Sequence, residues 1–202
     1  ERGCLPHQEE RSRRGAASAR IQSRACRSFF VATKLRPAKK QRRKESRRFS
    51  SNKKLSGNMK LVDSSVWLAL SLSEHAHHGT AAQWLSLKKQ ENSLLVCRSV
   101  QQSWLRLLTT GTIMQAYGLP PLKNQEAWSI FDGFLRDSRI AMASEPPHLN
   151  RAWRRFSSLK SPSPKIWMDA YLAAFAVSGN FQLVTIDRAF QSYPGLELEL
   201  LV

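Results

Sequence analysis

The sequence predicts an α/β fold, a three-layer α/β/α sandwich around a central, mostly parallel sheet, spanning residues 59–202. Three observations lead there. From Met59 onward, short apolar runs alternate with helix-period patterns of about 10–15 residues, the length a crossover between parallel strands requires. Two of the apolar runs end abruptly in an acid, Asp63 and Asp187. Charge is also partitioned: residues 1–58 hold 18 of the 32 Lys and Arg and 4 of the 15 acids, a net of +14, which leaves a net of +3 for residues 59–202.

Taken in order, "MKLVD" (59–63) is an apolar strand ending in an acid. "SVWLALSL" and "HGTAAQWLSLKKQ" follow as helices, interrupted around "SEHAHH". "SLLVCRS" (93–99) is the second strand. In "VQQSWLRLLTT", Val100, Trp104, Leu107 and Leu108 recur at helical spacing. "NQEAWSIFDGFLRD" is a helix starting near Lys123–Asn124, "RIAMAS" a third strand and "HLNRAWRRFSSLK" a further helix. The two prolines of "SPSP" make a loop. "IWMDAYLAAFAVSG" is the most apolar helix, stopped by Gly179. "FQLVTI" and "LELELLV" are the last strands, with "RAFQSY" between them.

The chain's net charge of +17 suggests a nucleic-acid binder, but most of it lies in residues 1–58. That stretch is rich in Arg, Ser and Lys and its one apolar cluster is "FFVATKL", too little to offset the entropy of ordering it, so a disordered basic extension is expected. It has three readings: a basic arm for nucleic-acid phosphates, an organellar transit peptide (against which Glu9, Glu10 and Glu45 speak), or sequence that is not native coding, since the chain begins without Met and Met59 opens a strand. No apolar run approaches the ~20 residues of a membrane span, so no membrane partner is expected. Cys4, Cys26 and Cys97 are odd in number and widely spaced, which suits a reducing cytoplasm and excludes a cysteine-based metal site.

The acids carry the chemistry. Asp63 and Asp187 each follow an apolar strand, and ligands of parallel α/β sheets sit beyond those strand ends. Asp169 interrupts the apolar helix near its start, where an unpaired carboxylate is costly. Each could simply cap or favour a helix N-terminus. Three in one domain point instead to a shared site: converging carboxylates repel, and a hard divalent cation with oxygen ligands relieves the repulsion. Ser65 and Thr185 place hydroxyls beside the acids, suited to contacts with them or with water.

The blocks "MKLVDSSVWLALSLSEHAHHGTAAQWL", "CRSVQQSWLRLLT", "KIWMDAYLAAFA" and "LVTIDRAFQSYPGLELELL" together resemble the VapC-type PIN-domain ribonuclease toxins of bacterial toxin–antitoxin modules, from Met59 to Val202. The resemblance implies a PIN-like sandwich and RNA cleavage by metal-activated water with Mg²⁺ or Mn²⁺. It also implies a bacterial cytoplasmic setting, an antitoxin partner and a homodimer. By position, Asp63 matches the family's first-strand acid, Asp169 the acid opening the "D-A-x-x-A-A" helix and Asp187 the acid after the last long strand. The family's second acid, usually Glu, falls on Gln101, which removes one negative charge from the expected set of Asp63, Gln101, Asp169 and Asp187.

The remaining candidates have plainer readings beside the functional one. His75, His77 and His78 lack the spacing and partners of a zinc set and suit a solvent-exposed helix junction. Trp67, Trp84, Trp104, Trp128, Trp153 and Trp167 fall on apolar helical faces and are expected in the core. Arg151, Arg154, Arg155 and Lys165 are either a solvated face or a basic rim for RNA phosphates beside the acids. The leading function is a metal-dependent endoribonuclease toxin that cuts structured RNA, a tRNA or an rRNA loop. The alternative is a PIN-fold module that binds RNA or protein without turnover because of Gln101. A weaker third treats the chain as a nucleic-acid binder driven by residues 1–58.

Overall fold

A computed structural model describes residues 59–202; the expected basic extension, residues 1–58, lies outside the described residues. The element order is β1 (Lys60–Val62), α1 (Ser64–Ser71), α2 (His78–Ser86), β2 (Leu94–Cys97), α3 (Arg98–Thr109), α4 (Gly111–Ala116), α5 (Asn124–Leu135), β3 (Ile140–Ala143), α6 (Leu149–Ser157), α7 (Ile166–Gly179), β4 (Gln182–Thr185), a 3₁₀ turn (Arg188–Ser192) and β5 (Leu198–Leu200). The strands form one five-stranded sheet in the order β3-β2-β1-β4-β5. All four ladders are parallel. The chain therefore builds outward from β1 through β2 to β3, then crosses back to add β4 and β5 on β1's other side. Strand order reverses between β1 and β4, and these two strands end beside Asp63 and Asp187.

The apolar runs form strands because both faces of a parallel sheet are covered: β2 is buried at every position, and Leu61, Val62, Leu183 and Val184 are fully buried. One helical layer packs α1 against α3 and α3 against α5. Its centre is aromatic. Trp67 stacks on Trp104 with ring centroids 5.2 Å apart, and Phe134 meets both edge-on. Both indole N–H groups are satisfied: Trp67 Nε1 donates to the Val62 carbonyl at 3.1 Å and Trp104 Nε1 to Ser71 Oγ at 3.0 Å. The second layer is the α6–α7 pair, with α7 also resting on β4. Six residues of α7 from Ala170 to Ala176 are buried, mostly alanines that let its backbone approach its neighbours closely.

Several details differ from the expectations. The third helix-period run begins earlier than Val100: β2 stops at Cys97 and α3 starts at Arg98. The short α4 is absent from the expectations because six residues opening on a glycine carry no periodic signal. Helix α7 has the expected bounds, but the residue that turns the chain is Asn180, with φ 53° and ψ 46°. Gly179 is needed for another reason: a Cβ there would collide with the Phe181 ring. Two tryptophans expected in the core lie at the surface, Trp128 at 47% and Trp167 at 54% exposure. Trp153 is half-buried. Helical spacing identifies a face but not whether another element covers it.

The histidine cluster is a partly exposed junction between α1 and α2. His75 stacks on Tyr117 at 5.2 Å, its Nδ1 accepts the His77 backbone N–H at 3.1 Å, and His78 Nδ1 lies 2.8 Å from the Ala69 carbonyl. Burial, then the charges of His77 and His78, hold the His75 pKa below its ordinary value. No helix among the described residues is long and apolar enough to cross a membrane.

Candidate active site

Strand order reverses between β1 and β4, and Asp63, just beyond the end of β1, is the best-held residue at that point. The carboxylate is 8% exposed. Its Oδ1 accepts the Ser64 backbone N–H at 2.6 Å, capping α1, and the Ser64 hydroxyl at 3.2 Å. Its Oδ2 accepts Ser65 Oγ at 2.6 Å and Thr185 Oγ1 at 2.9 Å. Thr185 is the last residue of β4, so this bond ties the ends of the two strands that flank the reversal. The two hydroxyls lie 3.3 Å apart, and Thr185 Oγ1 in turn accepts the Asp187 backbone N–H at 3.0 Å. One carboxylate thus serves both ends: Oδ1 starts the helix while Oδ2 is held by Ser65 and Thr185.

Asp187 is exposed, and its Oδ1 accepts the Ala189 N–H at 2.8 Å, which starts the 3₁₀ turn. Asp169 lies in the first turn of α7 and is half-buried. Burial first, then the charges of Asp187 and Asp63, push its carboxyl pKa above the usual range. Asp63 and Asp187 are therefore both near enough to Asp169 to disfavour its charge. A residue not anticipated from sequence joins them. Burial, then the charges of Asp169 and Asp187, push the Tyr193 phenol up to about 12. Tyr193 lies beyond β4, packed on Phe156 and Phe190, and no spacing rule links it to Asp169.

Gln101 is buried in the first turn of α3, beyond β2, the neighbour of β1. The Arg98 guanidinium donates to its Oε1. A guanidinium only donates, so it holds the amide oxygen and turns the amide nitrogen the other way. The amide oxygen of Gln101 is thereby already engaged by a cationic donor. Cys97 is buried as well, and burial raises its thiol pKa, which keeps it an unreactive thiol. Arg151, Arg154, Arg155 and Lys165 are all exposed along α6 and at the start of α7.

The donor chemistry fits a hard divalent cation: carboxylates and hydroxyls, all oxygen, with mutual repulsion to be neutralised. Among the described residues no group of three or more His, Cys, Asp or Glu is gathered tightly enough to enclose an ion unaided. Mg²⁺ does not demand such a cage, since it is commonly held by one or two carboxylates, several waters and substrate phosphates.

Residues 60–196 match the family model described as PIN domain. Along 144 residues the chain is 52% identical to Ribonuclease VapC41 of Mycobacterium tuberculosis (strain ATCC 25618 / H37Rv), over 71% of this chain and 99% of that protein. It is 26% identical over 136 residues to Ribonuclease VapC31 of the same organism, over 67% of this chain and 93% of that protein. Among solved structures, the crystal structure of VapBC2 from Rickettsia felis bound to a DNA fragment from their promoter superposes with a TM-score of 0.50 at 16% identity, over 70% of this chain and 98% of that one, a likeness of fold. The chain belongs to the PIN-domain family and, within it, to the VapC-type ribonuclease toxins.

Proposed function

We propose that this chain is a metal-dependent endoribonuclease, the toxin of a two-component module, that cuts structured RNA at an exposed tRNA or rRNA loop. The observation that carries this is the pairing of a rigidly held Asp63 with an Asp169 whose carboxyl is pushed up by burial and by the charges of Asp187 and Asp63. Asp63 and Asp169 would hold Mg²⁺ or Mn²⁺, with Asp187 acting through a water. When bound, the ion supplies positive charge at the phosphodiester and lowers the pKa of a coordinated water.

The protein's own part is positional. Ser65 and Thr185 fix the Asp63 carboxylate, which needs no rearrangement to receive charge. Arg151, Arg154, Arg155 and Lys165 supply the positive rim that an RNA backbone requires. A cognate VapB-type antitoxin and a homodimer complete the proposed assembly.

Gln101 favours one alternative, a PIN fold that binds RNA without turnover, because Arg98 already engages its amide oxygen. One experiment separates the two. The full chain, purified free of other proteins, is incubated with total bacterial RNA in Mg²⁺ or Mn²⁺, beside EDTA and Asp63→Asn controls, and new 5′ ends are mapped. Discrete ends that need the metal and vanish in Asp63→Asn are the expected result. RNA binding without cleavage at saturating Mn²⁺, with activity gained by Gln101→Glu, would select the alternative.

A further inference from the structure

Residues 149–168, the span of α6, the loop after it and the start of α7, contain five basic residues (Arg151, Arg154, Arg155, Lys160 and Lys165) and no acid. Residues 59–202 carry +3 in all, so the remainder of the described chain sums to −2 and this hairpin holds the whole positive surplus. At its end stands Trp167, 54% exposed, followed by Met168 at 49%. The indole is exposed but not loosely placed. Trp153 Nε1 donates to the Trp167 carbonyl at 3.0 Å, and the two rings meet edge to face at 6.4 Å and 83°. Trp153 is itself braced by Tyr171 at 5.4 Å, whose hydroxyl donates to Glu145 at 2.7 Å.

We infer that Trp167 is a stacking platform for an unpaired RNA base, set in the basic α6–α7 edge that grips the flanking phosphates. This rests on the ribonuclease reading and names the form of RNA the site takes. An aromatic face on a positively charged edge is what single-stranded nucleic acid binds, and only a base freed from its partner offers a face to the indole. Trp167 lies two residues before Asp169, about 3 Å along the helix axis but roughly 200° around it. The stacked base therefore belongs to a nucleotide other than the one at the cut. A second copy of the chain is a poor occupant, because a two-fold contact through this edge would bring like charges together.

The test uses the full chain in EDTA, so that binding is read without cleavage, with a short single-stranded RNA carrying one aminopurine, whose fluorescence falls when it stacks. Parent protein and Trp167→Phe should quench the reporter. Trp167→Ala should bind roughly 5- to 150-fold more weakly and quench little. The same strand annealed to its complement should not be quenched. Circular dichroism checks that Trp167→Ala folds, as expected for a side chain more than half exposed. The inference is overturned if Trp167→Ala binds and quenches like the parent or if duplex quenches equally. It is also overturned if the substitution changes only the sedimenting mass or the capture of a VapB-type partner. Cleavage by the same proteins in Mg²⁺ is scored separately: stacking without any cleavage would sink the ribonuclease reading alone, and cleavage without stacking would sink this inference alone.

Discussion

Two carboxylate clusters of the same domain face opposite electrostatic fates. Around Glu199, on β5, Lys60 donates at 2.7 Å, Trp84 Nε1 donates at 2.8 Å and Lys88 stands 3.6 Å away. Burial alone would raise the Glu199 pKa, yet the hydrogen bonds from Lys60 and Trp84 and the charges of Lys60 and Lys88 outweigh it and hold the carboxyl below its ordinary value. At Asp169 burial and like charge act together and the shift is upward. A carboxylate placed for structure is neutralised by the protein itself. Asp169 is left short of positive charge, which under the proposed function a bound cation supplies.

Substitutions can break this contrast. The largest effect is expected from Asp63→Asn, which can keep the α1 cap through its amide oxygen but removes the charge. RNA cleavage should fall by at least about 100-fold with the circular dichroism spectrum unchanged. Parent-level cleavage would mean that Asp63 is only a cap.

Next comes Glu199→Leu, which removes the acceptor of the Trp84 N–H and the counter-charge of Lys60, whose ammonium keeps its bond to Gln182. Stability to urea should drop by about 1–3 kcal/mol while cleavage per folded molecule is unchanged. An unchanged midpoint would show that the bonds around Glu199 contribute nothing net.

A divalent cation sharpens the contrast from the other side. Millimolar Mg²⁺ or Mn²⁺ should raise the thermal midpoint of the parent and not of Asp63→Asn, since a ligand that binds only the folded state stabilises it by mass action. An equal rise in both would place the ion elsewhere.

Smaller still, Asp169→Asn without metal should stabilise the fold, by about 0.5–1 kcal/mol or a few degrees, because it removes a charge that burial first and then Asp187 and Asp63 disfavour at a half-exposed site. The pH dependence of the two clusters has opposite signs. The folded pKa of Glu199 is lowered, so its contribution is present above the unfolded carboxyl pKa of about 4.3 and is lost as pH falls through the folded value. The folded pKa of Asp169 is raised, so its destabilising charge disappears as pH falls through that higher value. In EDTA, Glu199→Leu should therefore flatten the loss of stability on acidification, and Asp169→Asn should steepen it.

Much of this was legible in the chain because it is local. Apolar runs of strand length, the 166–179 helix to the residue and the acids at the strand tips follow from short-range periodicity, capping and turn chemistry. The missed α4 and the late start assigned to α3 fail for the same reason in reverse, since a six-residue helix and a strand that passes directly into a helix leave no periodic boundary to read. Trp128 and Trp167 were misjudged because an apolar stripe records only that a face exists.

What the sequence by itself determined is the set of elements apart from α4, the separation of charge between residues 1–58 and the rest, and the three acids worth watching. Only the tertiary structure decided that strand order reverses between β1 and β4, that Thr185 bonds Asp63 across that reversal, and that Tyr193 feels Asp169 and Asp187. The physical reason is range. Hydrogen bonds within a turn and side-chain period act over a few residues and leave their mark in any short window. Hydrogen bonding between residues 122 positions apart and repulsion between carboxylates depend on distances that exist only once the sheet has closed.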